Sequence, residues 1–183
     1  MLLTLVIVIA VIIAWLTWHY ASRRHNLPCP ACLSFLVEMD NPFTNVNRAQ
    51  TIIQHLDIKP GMRILDIGCG PGRLTIPIAK IIGQTGQVVA LDIQQAMLNK
   101  VRDKASKESL NNIHYINLDI GNFHLADTGF DRVLLVTVIG EIPAQLNALK
   151  EIHNVLSSHG ILSITEIIFD PHFHRQKTIL KIA

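Results

Sequence analysis

Nine residues constrain this chain more than any others: Ile64 to Gly72, reading Ile-Leu-Asp-Ile-Gly-Cys-Gly-Pro-Gly. A short apolar run enters a turn in which Gly68, Gly70 and Gly72 alternate with other residues. Apolar residues at helical spacing (Leu74, Ile78, Ile81, Ile82) follow at once. The pattern predicts a strand, a tight turn and a helix N-terminus. A strand that turns sharply into a helix needs positive φ and has no room for a Cβ where a ligand must approach, so the turn reads as a ligand cradle. Asp66, two positions before the first glycine, decides which ligand. A pyrophosphate needs the helix N-terminus free of negative charge, whereas Asp66 repels phosphate and attracts an ammonium group.

Three further runs fall into register with the first. Val88 to Asp92 is a second buried-strand pattern whose closing acid lies 20 residues after Gly72, the spacing that suits an acid gripping ribose hydroxyls. Ile113 to Leu118 is a third run, followed by Asp119 and Ile120, and Phe130 to Val136 is a fourth. Asp66-x-Gly68-x-Gly70-x-Gly72 resembles the first motif of the class I S-adenosylmethionine-dependent methyltransferases, and the resemblance extends over about residues 45–168. It implies that Asp66 helps hold the amino-acid end of S-adenosyl-L-methionine, with Gly68, Cys69, Gly70 and Gly72 packed against the cofactor. It also implies that Asp92 and Ile93 sit at the ribose, that Asp119 and Ile120 meet the adenine, and that the fourth strand carries the substrate-side loop.

Alternating strands and helices at these lengths predict an α/β fold with a doubly wound parallel sheet of about five strands. The helices are expected from Asn45 through Val46, Ala49, Ile52, Ile53 and Leu56; up to Ile82, with Pro77 kinking or shortening its start; from Gln94 to Ser109; and from Pro143 to Leu156. A turn at Ser157 to Gly160 and a fifth strand from Ile161 to Phe169 complete the sheet. The family's sheet usually ends in an antiparallel hairpin, and the residues after Phe169 are too few to supply it. Strand five is therefore expected to carry an open edge that invites self-association, and this C-terminally incomplete domain to bind cofactor better than it turns it over.

At 49% hydrophobic residues the chain is rich for a soluble domain, and the excess lies in the first twenty residues. Leu2 to Trp18 as a helix would reach roughly 26 Å at 1.5 Å per residue, close to a hydrocarbon core of ~30 Å. No Lys or Arg precedes this run, and Arg23 and Arg24 follow it, which favours an uncleaved single-pass anchor with the domain on the cytoplasmic side. The expected division is an anchor over 1–22, a connector over 23–44 and a methyltransferase domain over 45–183. The connector's apolar patch, Leu33 to Val37, has two open placements, on the membrane or on the domain. With net charge +2 and no basic run longer than two, nothing points to nucleic acid.

Methyl transfer from a sulfonium requires no metal; it needs donor and acceptor held close and water excluded. Glu141, just after strand four, is placed to act as a base or orienter, or is a solvated loop acid. His172 and His174, beyond Asp170-Pro171, read as substrate-side polar residues or, less simply, as a metal pair. Cys29 and Cys32 have redox or half-zinc spacing, but no second pair follows. The leading reading is methyl transfer to an unidentified small-molecule or lipid-soluble acceptor beside a membrane. The rivals are a protein that holds the cofactor without turnover and a nicotinamide-dependent reductase, which Asp66 disfavours.

Overall fold

β1 (Arg63–Ile67) is buried at every position after its first, as are all but the first residue of β2 (Gln87–Asp92) and the middle of β4 (Phe130–Val136). Strands buried on both faces need helices on both sides. In the computed structural model, which describes residues 2–39, 48–122, 124–168 and 170–182, these strands join β3 (Ile113–Asn117) and β5 (Leu156–Thr165) in one sheet ordered β3-β2-β1-β4-β5. Every pairing is parallel. This is the expected doubly wound, five-stranded sheet. Among the described residues β5 pairs with β4 alone, and Ile161 at that edge is half exposed.

Alternation along the strands divides the core. Ile64, Val88, Ala90 and Leu134 pack under α3 (Ala49–His55), α4 (Thr75–Ile82) and α5 (Gln95–Lys107). Leu65, Ile67, Val89, Val133 and Leu135 face the other way, toward α6 (Gln145–Val155) and α7 (Gln176–Ile182). Chain order runs outward from β1 through β2 to β3, then returns to β4 on the opposite side of β1. The carboxyl ends of β1, β2 and β4 therefore meet at the point where strand order reverses, the place where open α/β sheets bind ligands.

Several boundaries differ from the sequence expectation, each for a local reason. Pro77 occupies the first turn of α4, which begins at Thr75, where a helix N–H has no intrahelical partner. α6 begins at Gln145 rather than Pro143, after a 3₁₀ turn over Ile139–Glu141. β3 stops at Asn117, whose side-chain amide donates to the carbonyls of Asp92 and Ile93 and so turns the chain. β5 starts at Leu156 and absorbs the expected turn at Ser157 to Gly160. Leu156 pairs with Phe130, and a register shift then brings Ile161 opposite Arg132. β5 ends at Thr165, short of the expected Phe169, and the expected helix start at Asn45 and Val46, the 44/45 boundary and Phe169 itself lie outside the described residues.

Ahead of the sheet, α1 (Leu2–His25) is long and apolar enough to cross a membrane, with a mean hydropathy of 2.1 over Leu3–His25 and none of its apolar window buried. Its last turns touch the domain, where Ser22 is buried. A 3₁₀ turn (Ala31–Leu33) and the short α2 (Ser34–Glu38) follow. In the apolar patch of the connector, Ser34 is buried on the domain and Val37 half-buried, while Leu33 and Phe35 are exposed.

Candidate active site

The three glycines after β1 all have positive φ, at +66° for Gly68, +53° for Gly70 and +89° for Gly72, yet they serve different needs. A Cβ on Gly68 would overlap the side chain of Val138, which follows β4. A Cβ on Gly72 would press on Val101 at 3.2 Å and Ile76 at 3.4 Å, so this glycine lets α5 and α4 close on the turn. At Gly70 a Cβ would meet only Val37, at 3.7 Å. Gly70 alone of the three leaves its space to the pocket.

Asp92, at the end of β2, fixes the turn. Its Oδ2 accepts from the Gly70 N–H at 2.9 Å and its Oδ1 from the Gln94 N–H at 2.8 Å. Burial raises its pKa, and the two backbone donors oppose that shift. Each oxygen keeps a lone pair for a further donor. Asp66 lies behind the turn instead, 3% exposed, and accepts from Thr75 Oγ1 at 2.6 Å. Burial pushes it up to about 6, against the Thr75 bond and with the help of Asp92. Neither Asp66, Cys69 nor Gly72 lines the pocket. Burial likewise raises the Cys69 thiol far above its usual range, which keeps it protonated.

The pocket opens above Gly68 and Gly70. Asp92, Ile93, Asp119 and Ile120 line it from the β2 and β3 side, and Thr137, Val138 and Glu141 line it from the segment after β4. Asp119 is oriented by the Gly121 N–H on Oδ1 (3.0 Å) and the Asn122 side-chain amide on Oδ2 (2.5 Å). Thr137 has φ +56°, a strained conformation for a non-glycine, and was not singled out by the sequence. The roof comes from the connector. Gln94 Nε2 donates to Cys29 O at 2.9 Å, Lys100 donates to Ala31 O at 2.6 Å and to Ser34 Oγ, and Lys104 pairs with Glu38 at 2.7 Å. Asn26, Pro28 and Cys29 line this side of the pocket.

Glu141 is no solvated loop acid. Burial, then Asp170, Asp92 and Glu166, push it up to about 8. Burial also raises Glu166 to about 7 and raises Asp170. His172 and His174 do not line the pocket. His172 is buried behind Glu141, and His174 Nε2 lies 3.1 Å from Gln145 Nε2. Glu166 carried no local signal in the sequence. Among the described residues the pocket is lined by three carboxyl groups and by no Lys, Arg or His. Such a lining suits a ligand with positive charge and disfavours one with phosphates. It fits the sulfonium and ammonium groups of S-adenosylmethionine.

Comparison with known proteins agrees with this geometry. A family described as "Methyltransferase domain" matches residues 58–181. A ubiquinone/menaquinone biosynthesis C-methyltransferase of Vibrio vulnificus is 32% identical over 117 residues, which are 62% of this chain and 45% of that protein. A demethylmenaquinone methyltransferase of Staphylococcus haemolyticus is 32% identical over 115 residues, 63% of this chain and 47% of that protein. The matched segment thus spans under half the length of these relatives. A crystal structure of a methyltransferase from Aquifex aeolicus superposes with a TM-score of 0.71 at 21% identity, covering 85% of this chain and 86% of that one.

Proposed function

The chain belongs to the methyltransferase-domain family, with the Rossmann-like fold of class I enzymes, and on that premise we propose that it transfers a methyl group from S-adenosylmethionine to a lipid-soluble acceptor at a membrane. The observation that carries this reading is the pocket lining, acidic and without a basic side chain among the described residues, above the Gly70 N–H that Asp92 holds. In this reading Asp92 and Ile93 take the ribose, Asp119 and Ile120 the adenine, and Gly68 and Gly70 the amino-acid end. Asp66 and Cys69 shape the turn from behind, and Gly72 sets the helix packing. The bound cofactor supplies a methyl group already activated on a positively charged sulfur. The protein's own residues hold the acceptor beside it, exclude water and take up the acceptor's proton, for which Glu141 is the pocket-wall candidate.

What stands over the pocket supports this acceptor class. Its lining begins at Asn26, one residue beyond the end of α1. From Trp18 to Asn26 is roughly 12 Å along a helix, so an acceptor dissolved in the bilayer has a short path to the site. The relatives named for demethylmenaquinone and for ubiquinone/menaquinone biosynthesis support a quinol of this kind. Residues 1–22 act as a single-pass anchor, residues 23–44 as the connector that roofs the pocket, and residues 45–183 as the catalytic domain. Arg23 and Arg24 keep that domain on the cytoplasmic side. Self-association along the free edge of β5 belongs to the same reading and is checked by sedimentation.

The test is incorporation of radiolabelled methyl from S-adenosylmethionine into demethylmenaquinol in lipid vesicles carrying the full chain. Label in the organic extract is expected, and deletion of residues 1–22 should release a domain that binds cofactor but loses most of this activity. Tight cofactor binding with no methylated lipid would instead make the chain a cofactor-holding protein. Displacement of the cofactor by NADH would return the nicotinamide alternative.

A further inference from the structure

The segment after β5 brings together groups that the cradle does not use. His172 is 8% exposed, and its ring is gripped from α1, with Nε2 2.9 Å from the carbonyl oxygen of Ser22. A carbonyl only accepts, so Nε2 carries the proton and donates it. Ser22 is itself 2% exposed, and its hydroxyl donates to Leu27 O at 2.8 Å. The other ring nitrogen, Nδ1, is buried without a hydrogen-bond partner. It lies 3.6 Å from Asp170 Oδ1 and 3.9 Å from Glu141 Oε1.

This approach is built into the backbone. A Cβ on Gly140 would overlap the carbonyl oxygen of His172 and stand 2.7 Å from its Cβ, so only a glycine lets the turn carrying Glu141 close on His172. Glu141 therefore has the pocket on one side and Nδ1 on the other. Asp170 is fixed by the His172 N–H, which donates to its Oδ1 at 2.7 Å. A neutral ring with its proton on Nε2 turns a bare lone pair toward two carboxyl groups, an arrangement that is stable only with a proton between them. Glu141, pushed up to about 8, carries such a proton near neutrality, and in that state it cannot accept another.

We propose that His172 is the positioning residue that turns Glu141 into a base, its Nδ1 taking the Glu141 proton so that the freed carboxylate accepts the proton lost by the methyl acceptor. The inference rests on the methyltransferase reading above. The Glu141 O–H bond breaks and an N–H bond forms at Nδ1. The acceptor's X–H bond then breaks, its electron pair stays with the acceptor for methylation, and the proton re-forms O–H on Glu141. The pair ends with two protons where it began with one, and the second leaves to solvent when product departs. The ionisable groups around the pair are mostly carboxyls: Asp170 and Glu166 follow β5 and Asp92 ends β2, all near Glu141. Cys29 faces Glu141 from the roof, and His19 of α1 faces Asp170.

The test uses the full chain in vesicles and His172→Gln, whose amide keeps a donor for Ser22 O but has no basic nitrogen. The infrared band of the protonated Glu141 carboxyl, identified by its loss in Glu141→Gln, is titrated with S-adenosylhomocysteine bound. In the parent the band should vanish at a pH lower by about one unit than in His172→Gln. With demethylmenaquinol, kcat should fall by about tenfold or more while cofactor affinity stays within about twofold, and the rising limb of the pH profile should move up. Gly140→Ala, which drives His172 from Glu141 and keeps the imidazole, should shift the band in the same direction. Identical band titrations in parent and variants overturn the proposal whether or not methylation occurs, and so does loss of cofactor binding together with a lowered melting temperature. Failure of the parent to methylate demethylmenaquinol defeats the functional reading instead, and the infrared titration still decides the role of His172.

Discussion

The two halves of the carboxyl edge treat their buried acids in opposite ways. On the β1–β2 side, Asp66 and Asp92 are buried but engaged, one by Thr75 and the other by two backbone N–H groups. On the β4–β5 side, burial raises Glu141, Glu166 and Asp170, Asp170 pushes both glutamates further up, and Glu166 Oε1 and His172 Nδ1 are buried without a partner. A buried acid with partners is a finished piece of scaffold, whereas one without them carries a cost that only a proton or a ligand relieves. The first half is built to hold one ligand in one pose, and the second is left poised for a proton to move.

The largest effect should come from breaking the finished half. Gly70→Ala places a methyl group in the space the pocket needs, at a φ of +53°. The strain costs about 1–2 kcal/mol of stability, while cofactor affinity should fall beyond about a thousandfold, or about 4 kcal/mol. Calorimetric titration with S-adenosylmethionine checks this, and retained affinity would mean that Gly70 does not face the cofactor. Asp92→Ala should follow at roughly 2–4 kcal/mol of binding, because it removes a charged acceptor and strands the Gly70 and Gln94 N–H groups. An affinity within about twofold of the parent would sink the ribose assignment.

The poised half should show itself in the pH dependence of stability. Glu141, Glu166 and Asp66 have folded-state pKa values of about 8, 7 and 6, all above the ordinary carboxyl range. A carboxyl raised on folding binds its proton more tightly in the native state. Its contribution is complete below the unfolded value and is lost as pH rises through the folded one. The melting temperature of the cofactor-free protein should therefore fall as pH rises from about 5 to about 8.5. Glu141→Gln should flatten the upper part of that decline and leave cofactor affinity intact. An unchanged slope in calorimetry at fixed ionic strength would place Glu141 in water and remove the contrast between the halves.

The finished half is also the part that the sequence spelled out, because its rules are local. Glycine spacing, continuous apolar runs and the acid at position 92 specify strand, turn and helix within some thirty residues. The poised half depends on distant pairings. β5 begins at Leu156 because Phe130 is there to pair with it, and His172 finds Ser22 across 150 residues of chain. No local pattern marks Thr137 as strained or Lys100 as the residue that ties down the roof. Asp66 shows the opposite limit. The motif containing it was legible, yet the bond to Thr75 that turns its carboxyl behind the cradle comes from the helix that follows.

The smallest expected effect is at Pro77, which the sequence read as a defect in α4. The ring lies at the third helical position, half-buried, between two ordinary backbone bonds, from Ile76 N to Gly72 O at 3.2 Å and from Ile78 N to Leu74 O at 3.0 Å. A donor missing from the first turn leaves nothing unsatisfied inside the helix, and a fixed φ near −65° already suits it. Pro77→Ala returns conformational freedom to the unfolded chain and removes little packing, so stability should drop by less than about 1 kcal/mol, with cofactor affinity unchanged. Urea unfolding measures it. A loss above about 2 kcal/mol would mean that the proline ring itself holds the cradle helix in place. A gain of similar size would reveal strain at the entry to α4, and the half of the site described as finished would then carry a cost of its own.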